Sequence, residues 1–191
     1  MTKKELAKEI YRIAHLTGSF TLRSGQVSET YFDKYLFEGN PRVLGAIASE
    51  LSSRIPIGID VLAGLEMGGI PVATALSLET NLAAAFVRKQ AKSYGTCKLA
   101  EGADIRGKKV CVVEDVVTTG GQILLSVKDL REAGAIVEDV VCVIERHPDG
   151  RKKLAENGLK LHALFTMDEL IAAGADQEAP LEPQNGQGWG D

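Results

Sequence analysis

The stretch VCVVEDVVTTGGQ, Val110 to Gln122, opens with four apolar residues and closes with two acids, two valines and the turn Thr118-Thr119-Gly120-Gly121. An apolar run without alternation is what a strand buried on both faces requires, and a parallel sheet between two helical layers buries both. Glu114 and Asp115 come at the carboxyl end of that strand. Two adjacent carboxylates left unpaired in a core would cost several kcal/mol, so they should face a cleft or a ligand. The turn leads into QILLSVKDLREAG, which puts Ile123, Val127 and Leu130 on one helical side. Amides in a first helical turn lack partners, glycine lets the backbone approach an anion closely, and the helix dipole favours negative charge there. Carboxylates accept hydrogen bonds from sugar hydroxyls while such a turn holds a phosphate. Acids alone would read as a polar connection; acids, turn and buried strand together describe a site for a ribose 5-phosphate group. Neither GxxxxGK[ST] nor GxGxxG after a strand occurs in the chain.

The rest of the chain supplies the layers. IDVLAG, AAAFVRK, KKVCVVED, AIVEDVVCVIER and LHALFT read as short apolar strands, with helical patterns such as PVATALSLET between them. Strands alternating with helices predict an α/β fold with a central parallel sheet of five strands, ligands binding at the strands' carboxyl ends. Ahead of this core, Thr2 to Glu5 forms a capping box, and Leu6, Ile10, Ile13 and Thr17 keep helical spacing until Gly18. A hairpin is expected around Ser24-Gly25, and a further helix behind Asn40-Pro41. A second capping box, Thr166 to Glu169, starts the last helix. One domain over residues 1–174 is expected, its N-terminal part mainly 1–40 and its core about 41–174. Residues 175–191, rich in Gly, Pro, Gln and acids, read as a disordered tail.

Bulk properties exclude other classes. The chain has 191 residues, 45% of them hydrophobic and 25% charged, with a net charge of −4. An isoelectric point near 5.5 argues against a nucleic-acid-binding face. No run approaches the roughly 18 apolar residues of a membrane span, and MTKKELAKEI is charged throughout, unlike a signal peptide. Cys97, Cys111 and Cys142 show no CxxC pairing and read as free thiols, which places the protein in the cytoplasm. His15, His147 and His162 have no ligand spacing, and no metal-binding side chains are assigned.

Three further segments carry chemistry. FVRKQAKSYGTCKLAEG, Phe86 to Gly102, holds Arg88, Lys89, Lys92 and Lys98, with no acid between Arg88 and Lys98. Such a run is commonly a solvated face, but this one follows a strand directly, and its Ser, Gly and Thr favour a mobile loop. Cations there could meet charge growing on a polyphosphate leaving group, and a closing loop would exclude water. AGLEMGGIPVATALS, Ala63 to Ser77, has a glycine turn between strand and helix. In FTLRSGQVSETYFD, Phe20 to Asp33, Arg23 alone would pass for a surface cation, as would Arg146 at the end of VVCVIER.

VCVVEDVVTTGGQ resembles the phosphoribosyl pyrophosphate (PRPP) motif of type I phosphoribosyltransferases. The other segments resemble, in order, the hood, pyrophosphate turn and catalytic loop of orotate phosphoribosyltransferases. The likeness spans roughly residues 4–172. It implies the type I phosphoribosyltransferase fold, with a small N-terminal hood over the five-stranded parallel sheet. It implies transfer of a phosphoribosyl group from PRPP to orotate, with Mg2+ held mainly by substrate. By this resemblance Glu114 and Asp115 hold the ribose hydroxyls, and Val117, Thr118, Thr119, Gly120, Gly121 and Gln122 hold the 5-phosphate. Arg88, Lys89 and Lys92 bind pyrophosphate oxygens, Lys92 and Asp115 being the catalytic candidates. Arg23, Tyr31, Phe32, Thr118 and Arg146 contact orotate. A homodimer is implied, with loop 88–102 reaching the neighbouring active site. The chain departs from many members in having Tyr94 where they carry His, and from some in lacking a lysine in the pyrophosphate turn, where Gly68 stands.

Overall fold

The computed structural model describes residues 1–21, 25–89 and 99–178. The chain begins with α1 (Lys3–Ala14), a hairpin of β1 (His15–Thr21) and β2 (Val27–Phe32), and the short α2 (Lys34–Glu38). Next come α3 (Pro41–Ser52), β3 (Val61–Leu65), α4 (Gly69–Thr80), β4 (Ala83–Val87) and β5 (Ala100–Gly102). The second half runs β6 (Lys109–Val117), α5 (Gly121–Glu132), β7 (Ile136–Glu145), α6 (Pro148–Glu156), β8 (Lys160–Thr166) and α7 (Met167–Glu178).

The central sheet has the order β5-β4-β3-β6-β7-β8. Five strands are parallel, as the apolar runs predicted, with β6 in the middle. The sixth, β5, adds antiparallel to β4 at the edge. It is three residues long and half-exposed, so it carries no buried run by which to be recognised.

The strand Val110 to Val113 explains its own composition. Cys111 and Val113 belong to a core shared with α1, α3, α4 and α7. Val110 and Val112 belong to a second core shared with α5 and α6. Period-two alternation sends neighbours to opposite faces, and both faces here are covered.

Both capping boxes form: Thr2 with Glu5, and Thr166 with Glu169, whose carboxylate accepts from the Thr166 amide at 2.7 Å. Asn40 caps α3, its side chain accepting from Arg42 and Val43. Two boundaries differ from the periodicity. α1 stops at Ala14 rather than running to Gly18, because Thr17 pairs with Thr30 in the hairpin and the Asp33 amide donates to the Ala14 carbonyl at 2.8 Å. Helix α7 continues to Glu178, beyond the expected limit at 174. Buried Leu6 and Ile10 tie α1 to the main core.

Candidate active site

Three strand ends converge on one cleft. Its volume is about 420 Å³, and its walls come from five segments. Strand β6 gives Glu114 and Val116, and the turn after it gives Thr118 to Gln122. Glu66 and Met67 follow β3, Lys89 follows β4, and Lys34 and Tyr35 come down from α2. Helices α4 and α5 both begin here, and neither has a side-chain cap on its first turn. The first turn of α5, opened by Gly120-Gly121, presents its amides at the cleft as an anion site in the chemical sense, whereas in α4 the Ile70 amide is on the Met67 carbonyl and Pro71 has none. At the head of α5, Gly120 is left-handed, with φ of 71°, which reverses the chain tightly after Thr119.

The turn after β3 is linked to the basic segment. Glu66 donates its amide to the Val87 carbonyl at 2.9 Å, and its carboxylate accepts the Lys89 amide at 2.8 Å. Lys89 is thereby fixed at the cleft rim. Arg88 packs inward instead, half-buried, with its amide on the Leu99 carbonyl at 3.0 Å.

The acid pair divides. Glu114 is half-buried and lines the cleft, whereas Asp115 is fully buried and turned away from it. One oxygen of Asp115 accepts the Val116 amide at 2.6 Å, and the other meets the ammonium of Lys34. Glu38, one turn after Lys34 on α2, is buried against the same carboxylate. The backbone of Gly68 crosses directly over this group. A Cβ there would fall 1.7 Å from Asp115 Oδ2 and 2.9 Å from Glu38 Oε1. Only glycine fits.

Three carboxyls around one ammonium cannot all be ionised. Burial, reinforced by Asp115, pushes Glu38 up to about 9. Burial and then Asp115 likewise raise Glu114 well above the usual carboxylate range. Burial opposes ionisation of Asp115 too, but hydrogen bonds from Glu114, Glu38 and Lys34 outweigh it and hold Asp115 low. Lys34 is held above its ordinary value: burial works against its charge, and Asp115 overcomes that. The group therefore favours a protonated Glu38 beside an ionised Asp115 and a charged Lys34, and Glu114 is biased toward its protonated form by the same neighbours.

A second cavity, about 770 Å³, lies between the hairpin, α1, α7 and the end of β7. Tyr31, Phe32 and Arg146 line it together, joined by His15 and Met167. The Tyr31 ring stacks on Phe20 with centroids 5.5 Å apart. Arg146 leaves β7 beside the acid strand, its amide donating to the Val117 carbonyl at 2.8 Å. A third cavity, about 980 Å³, opens at the amino ends of β7 and β8. Of its lining, Arg151 is spent on Glu145 and His162 on Asp139.

Of the residues singled out in the sequence, the first cleft gathers Lys89, Glu114, Thr118, Thr119, Gly120, Gly121 and Gln122. The second gathers Tyr31, Phe32 and Arg146. Asp115, Val117 and Arg88 line neither, Val117 being buried beneath the turn. Arg23, Lys92, Lys98, Tyr94 and Cys97 lie outside the described residues, as does the tail from 179.

Residues 38–168 match the family model of the phosphoribosyl transferase domain. The chain belongs to this family. A curated relative from Nocardioides sp., an orotate phosphoribosyltransferase, is 51% identical over 168 residues, covering 88% of this chain and 94% of its own. Another orotate phosphoribosyltransferase, from Methanocella arvoryzae, is 46% identical over 154 residues, covering 81% and 88%. A crystal structure of Mycobacterium tuberculosis H37Rv orotate phosphoribosyltransferase in complex with PRPP superposes with a TM-score of 0.73 at 28% identity. That match spans 88% of this chain and 98% of the other. The type I phosphoribosyltransferase fold read from the acid strand is the fold observed.

Sequence reasoning passed over three residues of the site: Lys34, Glu38 and Glu66. Lys34 and Glu38 sit four apart behind the cap Asp33, which marks one helical face but not what it touches. Glu66 follows a buried strand, as Glu114 does, and the same argument applied there would have found it.

Proposed function

We propose that this protein is an orotate phosphoribosyltransferase, converting orotate and PRPP to orotidine 5-monophosphate and pyrophosphate in pyrimidine biosynthesis. What carries the reading is the cleft at the end of β6, where a half-buried acid stands beside the glycine turn and the uncapped N-terminus of α5. The bond from the sugar's anomeric carbon to pyrophosphate breaks, and a bond to the orotate ring nitrogen forms. Glu114 reads the ribose hydroxyls, and the turn Thr118 to Gln122 holds the 5-phosphate through its amides. Arg146 pairs with the orotate carboxylate while Tyr31 and Phe32 wall the ring. Arg23 and Thr118 complete the orotate contacts. Arg88, Lys89 and Lys92 meet the pyrophosphate, where negative charge grows as the bond breaks. Covalent chemistry by the protein is slight: it positions two substrates and excludes water.

Magnesium enters with PRPP in this reading. Held mainly by phosphate oxygens and water, the ion would find the Glu66 carboxylate on the cleft wall as a hard donor. Bound there, the ion would neutralise charge on the leaving pyrophosphate. The chain works as a homodimer, with loop 88–102 reaching the neighbouring cleft. The buried free thiols Cys111 and Cys142 suit the reducing cytoplasm.

The deciding experiment follows orotate absorbance with PRPP and magnesium. Consumption of orotate is expected, and turnover with a purine base alone would overturn the reading. Sizing in solution should give twice the chain mass.

A further inference from the structure

We infer that Lys34 is a binding residue for the pyrophosphate end of PRPP: its ammonium, held on buried Asp115, is the cation that the turn Glu66 to Gly69 itself lacks. The inference rests on the functional reading above and assigns a residue to a part of the substrate.

Among the described residues, Lys34 and Lys89 are the ammonium groups on the wall of the first cleft. Glu66 and Glu114 share that wall, and Asp115 lies buried behind Lys34. A substrate with several negative charges needs cations to offset both its own charge and theirs. Lys34 is placed for this. Its side chain is 31% exposed while its partner Asp115 is 0% exposed, so the ammonium sits between a buried anion and the open cleft. An ammonium has three donors, and one carboxylate oxygen does not exhaust them.

The position along the cleft follows from Gly68. The oxygen that Lys34 meets lies where a Gly68 Cβ would be, only 1.7 Å from it. The ammonium is therefore beside the turn between β3 and α4. That is the end where pyrophosphate, rather than the 5-phosphate, would lie.

Its placement is also firm. The Asp33 side chain accepts from the Tyr35 amide at 3.1 Å, fixing the start of α2. Phe37 is fully buried in the main core and anchors its other side. Glu38 is buried beside the same carboxylate, and the Gly68 backbone closes over both. A cation so fixed loses little freedom on binding an anion, which is what preorganised recognition requires.

The test separates the two ends of the substrate. Inorganic pyrophosphate and ribose 5-phosphate, each with magnesium, are titrated calorimetrically into wild type and Lys34→Met. Because that change leaves Asp115 buried without its partner, Lys34→Met/Asp115→Asn is measured against Asp115→Asn as a second comparison. Removing Lys34 should weaken pyrophosphate about 10- to 100-fold, the range of a charge-assisted contact, and shift ribose 5-phosphate by no more than about twofold. Unchanged pyrophosphate affinity in both comparisons overturns the inference. So does equal weakening of both ligands, which would mean that Lys34 only keeps the cleft in shape. Wild type that binds neither ligand would overturn the phosphoribosyl reading itself.

Discussion

Glu38→Gln should make the protein more stable at alkaline pH and leave it unchanged in acid. Glu38 is 6% exposed, and its Oε1 is buried against Asp115 and the Gly68 backbone. Burial first, and Asp115 second, lift its carboxyl from 4.5 to about 9. The folded chain therefore keeps a proton that the unfolded chain gives up above 4.5. A raised pKa in the folded state favours folding fully below the unfolded value, and that contribution is lost as pH rises toward the folded one. Stability from this group falls by about 1 kcal/mol for each pH unit across that window.

Glutamine has the shape of the protonated acid and nothing to release. Urea unfolding of both proteins at intervals from about pH 5 to pH 8 should show their difference growing at that slope, to about 3–4 kcal/mol in favour of the variant. Wild type will keep some slope of its own from Glu114, which is raised by the same causes; the difference between the two proteins isolates Glu38. Parallel stability curves would refute the reasoning, since they would mean that Glu38 is ionised in the fold. Glu38→Gln less stable at every pH would refute it too, by showing that the carboxyl proton has no partner that an amide can replace.

Gly68→Ala should cut turnover about 100-fold, the usual consequence of moving a positioned group by an ångström. Its Cβ has no room beside Asp115 and Glu38, so the turn, the acid or α2 must shift; steady-state kinetics with orotate and PRPP would detect this. Lys92→Ala should lower kcat by 100-fold or more, in the range seen when a group stabilising transition-state charge is removed, with a much smaller change in PRPP affinity. Unchanged turnover would remove Lys92 from the chemistry.

Much of this arrangement is written locally. Residues 110–113 announce a strand covered on both sides, and each neighbouring pair does go to a different core. Thr2, Asn40 and Thr166 announce helix starts, and all three cap. The phosphate turn is legible because its glycines and the helix after it are contiguous. The fate of the two acids is not legible, since adjacent positions on a strand say only that the side chains diverge. Which one meets substrate depends on α2, more than seventy residues earlier in sequence, and on a glycine turn from a third segment. Helix α2 is itself too short for a periodic signal, and β5 is recognisable only once β4 lies beside it.

That dependence has a structural consequence. An anion as deeply buried as Asp115 is tolerable only while a cation touches it, and the cation comes from the hood. Hood and core are therefore linked by charge as well as by Phe37 in the common core. Lifting α2 away would leave Asp115 unpaired, so its carboxyl would take up a proton or the cleft wall would reorganise around it. The hairpin that walls the second cavity is continuous with α2 through Asp33, whose amide holds Ala14 and whose side chain caps the helix. The wall of the second cavity and the cation on Asp115 thus belong to one continuous piece of chain.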